Sequence, residues 1–223
     1  LYMGWVHALP GKQVTSFDEI NVQRLNIIEP DGKPRVIISN RARMAGLYWG
    51  GKEYQHRTRD EGGFLFFNDD GDEVGGMNFS NRRQGDDYSA HSALKFDQHK
   101  QQETLELSYG ESNGRRGAGL RIYDQPDESI FPAIELSDKL RKAGTEEDRR
   151  LLTAQMQELN KKLQAAGGFT NRLFAGKDGG SSLVMLADKK GRPRLMLKVD
   201  AEGAASIEFL DEAGKVVHRM PQG

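Results

Sequence analysis

Acidic and amide side chains surround one glycine in LFFNDDGDEVGG, residues 65–76, and oxygen ligands of this kind are what calcium prefers. The ligands would be Asn68, Asp70, Asp72 and Glu73. A helix-flanked calcium loop needs ligands at alternating positions, a glycine at the sixth and a glutamate at the twelfth. Here the glycine is fourth counting from Asn68, and the flanking runs do not have a helical pattern. We therefore favour a solvated hairpin tip over a bound cation and predict no metal site.

Five histidines offer a second route to chemistry, as metal ligands or as catalytic bases. No two of them have the spacing that places a metal-binding pair on one helix face. Only His91, in DDYSAHS, lies near a hydroxyl and an acid, Ser92 and Asp86. A nucleophile needs both within hydrogen-bond reach, and local loop polarity explains the cluster equally well. GxSxG, the phosphate loop and the dinucleotide fingerprint are missing, so we predict no catalytic residue and no cofactor.

Paired arginines occur in two predicted turns, SNRRQGDD at residues 80–87 and ESNGRRGAG at residues 111–119. Such pairs can clamp phosphate or carboxylate groups. The whole chain, however, carries 32 basic and 33 acidic residues, so no global field attracts nucleic acid or an anionic bilayer. Solvated loop tips are the favoured interpretation, and no nucleic-acid partner is predicted.

The acidic residues that could do chemistry recur in a repeated sequence pattern, at predicted turns that are called corners here. In each copy a short apolar run is followed by Asp, Asn or Glu, two further residues, a glycine and a second run. A type I turn favours such a first residue, and glycine tolerates positive φ at the fourth. Two stretches with Asp97 and Lys100, and with Asp124 and Asp127, read as degenerate copies. The five complete corners are Glu29 to Gly32, Asn68 to Gly71, Asp188 to Gly191, Asp200 to Gly203 and Asp211 to Gly214.

The runs between these corners are short and rich in Ile, Val, Leu, Phe and Tyr, which is typical of β-strands. Residues 183–220 predict four consecutive strands of a meander, and within RLMLKV the side chains of Leu195, Leu197 and Val199 share one face. FLFF and SLVMLA are apolar on both faces, so they need cover from a second layer, a helix or another subunit. The predicted fold is mainly β, with consecutive antiparallel hairpins forming one curved or closed sheet.

Residues 132–166 depart from this pattern and predict a helical insertion. Thr145 and Asp148 form a capping box, and a glycine pair after residue 166 ends the helix. A shorter helix from Pro132 to Ala143 precedes it. One narrow apolar stripe either lies on the sheet of its own chain or forms a seam between subunits. The stripe consists of Leu152, Met156, Leu159, Leu163 and Ala166.

The first ten residues, LYMGWVHALP, are apolar and contain no acid. A transmembrane helix needs about 20 apolar residues, so this stretch is either the end of a longer membrane segment or an arm that docks on the core. We divide the chain into this apolar arm, residues 1–16, and one hairpin-repeat domain, residues 17–223, which contains the helical insertion.

From Phe17 onward the chain resembles a set of uncharacterised bacterial proteins in which one N-terminal membrane segment precedes a repeated hairpin domain. The resemblance rests on FDEINVQRLNIIEPDGKPRVIISN, GFLFFNDDGDEVGG and NRLFAGKDGGSSLVMLADKKGRPRLMLKVDAEGAASIEFLDEAGKVVHRM, in this order and spacing. That set has no assigned activity, so no site residue is transferred. The resemblance implies that the apolar start is the tail of a membrane anchor and that the rest lies outside the cytoplasm.

Two function classes remain open. The first is a non-catalytic envelope module that binds a partner or ligand, or assembles as a homo-oligomer through the helical insertion or the sheet edges. The second is a hydrolase or sugar-active enzyme whose loop carboxylates are Asp70, Asp72, Asp86 and Asp87. The second class requires two of these carboxylates within about 5–10 Å in one pocket.

Overall fold

The structure is a computed structural model, and it describes residues 15–54 and 59–221. Most of the predicted N-terminal arm, residues 1–14, lies outside this range. The helices are α1, Phe131–Lys142, and α2, Glu146–Ala165. The strands are β1 Arg24–Ile28, β2 Pro34–Ser39, β3 Leu47–Trp49, β4 Lys52–Tyr54, β5 Gly62–Phe67, β6 Glu73–Gln84, β7 Asp87–Asp97, β8 Glu103–Ser112, β9 Arg115–Asp124, β10 Thr170–Asp178, β11 Ser181–Ala187, β12 Pro193–Val199, β13 Ala205–Leu210 and β14 Val216–Met220.

Twelve strands form one antiparallel sheet in which almost every strand pairs with the next one in sequence. The order is β1-β2-β5-β6-β7-β8-β9-β10-β11-β12-β13-β14. The β3–β4 hairpin is a separate two-stranded sheet inserted between β2 and β5, and the two helices are inserted between β9 and β10. The prediction of a mainly β chain of consecutive antiparallel hairpins with one helical insertion is confirmed. The sheet was predicted to be curved or closed, and among the described strands it is not closed, since β1 and β14 lie at its edges.

All five predicted corners are turns. In each, the glycine N–H donates to the carbonyl oxygen of the first residue, over 2.8 to 3.1 Å, and the glycine has positive φ. In four of the five corners the first side chain also caps the turn: Asp188 Oδ1, for example, accepts from the amides of Lys190 and Arg192. The exception is Glu29, which accepts from the Arg35 side chain instead. Turn chemistry therefore accounts for most of the acid-and-glycine clusters in the sequence.

The two degenerate copies have different outcomes. The β7–β8 hairpin exists, but its turn begins one residue later than predicted, with Gln101 N–H donating to the carbonyl of Gln98 and Lys100 at φ 57°. Asp97 is thereby left at the end of β7. The copy at Asp124 is wrong as a hairpin, because the chain continues toward α1. Residues 125–130 are held instead along the β7–β8 turn, where the Gln98 and Gln101 side-chain amides donate to backbone carbonyls.

The helical insertion forms as the caps predict. Thr145 Oγ1 accepts from Asp148 N–H at 3.1 Å at the start of α2, and Gly167 and Gly168 follow its end with positive φ. The apolar stripe of α2 is half-buried over most of its length, and its principal packing partner is α1. The sequence analysis expected the stripe to pack on the sheet of its own chain or on another subunit. Neither expectation included packing on a helix of the same chain. A subunit seam through this insertion stays a prediction.

The two faces of the sheet differ in what lies over them. On one side, called here the covered face, Ile37, Leu65 and Phe67 form a buried core with Ala45, beneath the β3–β4 hairpin. Phe131, at the start of α1, stacks on Trp49 with ring centroids 4.9 Å apart. The hairpin and α1 therefore cover this side around strands β2 and β5 to β8.

The opposite side, called here the open face, carries two rows of mainly apolar residues, called here the apolar rows, that cross all twelve strands. Directly paired residues share a face, and the register places members of each row side by side. The first row is Ile27, Val36, Phe66, Gly75, Phe96, Leu105, Ile122, Leu173, Leu186, Leu195, Phe209 and His218, and the second is Leu25, Ile38, Phe64, Met77, Leu94, Leu107, Leu120, Ala175, Val184, Leu197, Ile207 and Met220.

The β5–β6 turn is fitted against the β3–β4 hairpin at Gly71. Gly71 has φ +82°, and a Cβ there would lie 2.6 Å from the backbone nitrogen of Gly51, whereas Gly85 has φ +59° and open space around it. We expect Gly85→Ala to lower the free energy of unfolding by about 1 kcal/mol through backbone strain alone. Gly71→Ala should cost about 2 kcal/mol, because it also displaces the hairpin. Urea denaturation of both variants checks this, and equal losses would contradict the contact.

Candidate functional site

A cavity of about 470 Å³ lies on the covered face, enclosed by strands β5 to β8, the β3–β4 hairpin and the start of α1. One part of its wall is apolar and aromatic and includes Tyr48, Trp49 and Ile134. The remaining wall is charged. Among residues 15–54 and 59–221, five carboxylates and two cations line it, namely Asp60, Glu61, Glu73, Asp97, Glu103, Arg59 and Lys95.

The middle of β6 leaves room for this cavity. Gly76 lies on the covered face between Leu65 of β5 and Lys95 of β7. A Cβ at Gly76 would lie 2.4 Å from the carbonyl oxygen of Phe64. Gly76 therefore permits close strand packing and keeps a side chain out of the floor of the cavity, while Gly75 lies on the open face.

An ion pair forms one side of the cavity. Arg59 Nη2 donates to both carboxylate oxygens of Glu73 at 2.7 Å, and the two side chains are only 12% and 10% exposed. Arg59 Nε is buried without a hydrogen-bond partner in the described part of the chain. The next two residues also contact β6. Asp60 forms an ion pair with Arg82, and Glu61 accepts a hydrogen bond from Asn78. Residues 59–61 are thus fixed to the sheet by their charges.

A row of alternating charges crosses the covered face beside the cavity. Lys95, Glu106 and Arg121 are directly paired on β7, β8 and β9. Lys95 Nζ lies 3.4 Å from Glu103 and 3.5 Å from Glu106, and Arg121 stacks over the Phe174 ring at 4.6 Å. Opposite charges facing each other across strands stabilise the sheet modestly. Lys95 is therefore already engaged by two carboxylates.

Asp97 is the carboxylate in this cavity that lacks a partner: no hydrogen bond or ion pair joins its side chain to the described residues. Burial raises the pKa of Asp97 from 3.8 to about 7, and the negative charges of Glu73 and Glu103 add to the increase. Arg59 and Lys95 oppose it but do not cancel it. Asp97 therefore changes its charge near neutral pH, and the described residues around its ionised form supply too little positive charge to balance it.

The carboxylates proposed for an enzyme do not come together. Asp70 and Asp72 precede β6, whereas Asp86 and Asp87 follow it, and a strand of 12 residues separates the two pairs by roughly 40 Å at about 3.4 Å per residue. Asp72 is not part of a solvated tip, since it is 4% exposed and its Oδ1 accepts from the Gly50 N–H at 2.6 Å. Its carboxylate is used to attach the β3–β4 hairpin.

The histidine cluster and the arginine pairs are likewise structural in their placement. His91 and Ser92 are consecutive residues of β7, so their side chains point to opposite faces of the sheet. The four arginines have partners in the same chain. Arg82 pairs with Asp60, Arg83 lies over the Tyr88 ring, Arg115 pairs with Asp178 and Arg116 pairs with Glu111.

Of the charged residues that line the cavity, the sequence singles out only Glu73, as a candidate calcium ligand, and favours a hairpin tip for it. The sequence predicts Asp97 to be a turn residue. The one available signal was the missing glycine after Asp97, because a corner acid without its glycine is free for another role. Arg59 and Glu103 have no local motif at all.

Metal and membrane features can be stated for the described residues. Within residues 15–54 and 59–221, no three His, Asp or Glu side chains are grouped so that they could hold a metal ion. Neither α1 nor α2 combines the length and the apolar character that a bilayer span requires.

A comparison with protein-family models finds no match to the chain, and no curated protein matches it.

Proposed function

We propose that this chain is a non-catalytic binding module and that the cavity on its covered face takes a small organic cation. The observation that supports this is the excess of carboxylates over cations among the described residues of the cavity wall, where Asp97 has no partner. Desolvated carboxylates repel one another and are costly without a counter-charge. A bound ammonium group would supply that charge.

The rest of the cavity suits the same class of ligand. Trp49 and Tyr48 offer aromatic surface, and ammonium groups are attracted to the faces of such rings. Leu47 and Ile134 would contact methyl or methylene groups of the ligand. A volume of about 470 Å³ lies within the usual range of about 300–1,000 Å³ for small-molecule sites.

The location is part of the proposal and rests on the apolar start of the sequence and on the resemblance alone. A module anchored by an N-terminal membrane segment and lying outside the cytoplasm would meet cations from its surroundings. Fractionation of cells that express the protein from its natural gene with a C-terminal tag tests this. Recovery of the tag in the cytoplasmic fraction contradicts it.

Calorimetric titration with tetramethylammonium and with 1,4-diaminobutane tests the binding proposal. Because the cation favours ionised Asp97, we expect affinity to rise as the pH increases through about 7. Asp97→Asn should weaken binding at least tenfold and remove this pH dependence, while Asp70→Asn, at the exposed β5–β6 turn, should change neither. Equal binding by wild type and Asp97→Asn, or binding of acetate in place of the two cations, contradicts the proposal.

One observation favours a second candidate, the hydrolase or sugar-active enzyme. A carboxyl with a pKa near 7 beside ionised carboxylates is the arrangement of a general acid next to a base or nucleophile. Asp97 would then donate a proton to the leaving group. Chromogenic glycosides distinguish the candidates, since turnover that Asp97→Asn abolishes favours the enzyme, and its absence with cation binding intact favours the binding module.

A further inference from the structure

The open face of the sheet exposes more apolar surface than a solitary chain normally leaves in water. Eleven of its large apolar side chains, including Phe96, Leu107 and Leu197, are 37–54% exposed. The four aromatic side chains among them have about 150–250 Å² of surface each and the aliphatic ones somewhat less, so together the eleven leave on the order of 800 Å² uncovered. The largest apolar patch of a typical monomer is about 300–600 Å².

Elements that could cover this face within the described residues lie elsewhere. The β3–β4 hairpin and α1 are on the covered face, where they enclose the charged cavity. The principal contact of α2 is with α1. The open face is therefore the side of the sheet that the inserted elements do not reach.

The layout of the open face resembles that of an interface. Its second row is apolar across all twelve strands, and its first row lacks an apolar side chain only at Gly75 and at His218. Near the β8–β9 turn the polar pair Glu111 and Arg116 marks a rim, with their side chains 3.2 Å apart. A groove of about 610 Å³ opens among Val184, Leu197 and Ile207. An apolar centre with a polar rim is the usual anatomy of a protein interface.

We propose that the open face is covered by the open face of a second copy of this chain. The exposed area of about 800 Å² equals what each partner buries in a standard interface. Two antiparallel sheets pack face to face about 10 Å apart with interdigitating side chains, and a two-fold axis lets one apolar surface serve both copies. This contact differs from the helical insertion and the sheet edges, the routes to assembly expected from the sequence.

Leu107→Glu tests the proposal against a matched control. Leu107 lies in the second apolar row and is 54% exposed, while Leu151 on α2 is 59% exposed. Sedimentation equilibrium of the wild type should show a dimer. Leu107→Glu should raise the dimer dissociation constant at least tenfold, because the carboxylate would be desolvated at the contact, and Leu151→Glu should leave it unchanged.

A second measurement holds even if the glutamate variant does not fold. The chain contains no cysteine, so Leu107→Cys and Leu151→Cys each carry one thiol. The thiol at residue 107 should react slowly with a maleimide at high protein concentration and at least tenfold faster after dilution below the dissociation constant. The thiol at residue 151 should react at one rate throughout.

Three results would overturn the proposal. A wild type that sediments as a monomer shows that no second copy covers the face. A dimer lost in Leu151→Glu but kept in Leu107→Glu places the contact on the helical insertion. A monomer whose residue-107 thiol is protected only by phosphatidylglycerol vesicles identifies a lipid surface as the occupant.

Discussion

Replacing Arg59 by methionine is expected to lower the free energy of unfolding by about 3–5 kcal/mol, the loss typical of removing one partner from a buried ion pair. Both Nη2 contacts to Glu73 are 2.7 Å, and both side chains are nearly buried. Methionine keeps much of the aliphatic volume, so the loss reports the charge rather than a cavity. The remaining Glu73 carboxylate would face Asp97 and Glu103 with less compensation.

The matched control is Arg115→Met, which removes an arginine from an exposed pair. Arg115 and Asp178 also lie 3.0 Å apart, but their side chains are 74% and 57% exposed. Such pairs contribute about 0–1 kcal/mol, so urea denaturation should show little change. A similar loss in both variants would mean that burial does not govern the contribution of the Arg59 pair. A loss below about 1 kcal/mol for Arg59→Met would also mean that burial does not increase the contribution of this ion pair.

Replacing Asp97 by asparagine is expected to stabilise the protein, and only at neutral and alkaline pH. Between its ordinary pKa of 3.8 and its folded value of about 7, folded Asp97 keeps a proton that the unfolded chain releases. Wild-type stability therefore falls as pH rises through this window and stays lowered above it. Asparagine does not ionise, so the variant should exceed wild type by about 2–4 kcal/mol at pH 8.

The measurement is urea denaturation at pH 4, 6 and 8. At pH 4 Asp97→Asn and wild type should be nearly equal, because folded Asp97 is then protonated. Asp127→Asn, at an exposed position outside the cavity, should track wild type at all three values. Destabilisation by Asp97→Asn at pH 8 would contradict the assignment, since it would mean that ionised Asp97 has a favourable partner. Stabilisation by Asp97→Asn at pH 8 would agree with the proposed binding role, because Asp97 would then lower the stability of the fold in return for ligand binding.

Local chemistry in the sequence was enough to predict the corners and the helix caps. Asp188 and Gly191, or Thr145 and Asp148, act on backbone groups within four residues, so their roles are independent of the rest of the fold. The strand alternation was equally readable, since Leu195, Leu197 and Val199 do share the open face. The mainly β class follows from these short-range signals.

The cavity could not be predicted, because it depends on contacts between distant segments. Arg59 meets Glu73 across 14 residues, and α1 reaches the cavity only because residues 125–130 follow the β7–β8 turn. The pKa of Asp97 depends on Glu73, Glu103 and burial together. No spacing rule in one sequence encodes such a convergence, and the shift of the β7–β8 turn by one residue was needed to place Asp97 there.

The pairing of strands with their sequence neighbours has a consequence for how such chains change length. A hairpin gained or lost at the β14 edge reroutes no other strand, since the remaining ladders involve only adjacent segments. Each strand adds one residue to each apolar row. The breadth of the surface offered to a second copy would therefore grow in proportion to the number of corners, and association strength could be tuned by whole hairpins rather than by point substitutions.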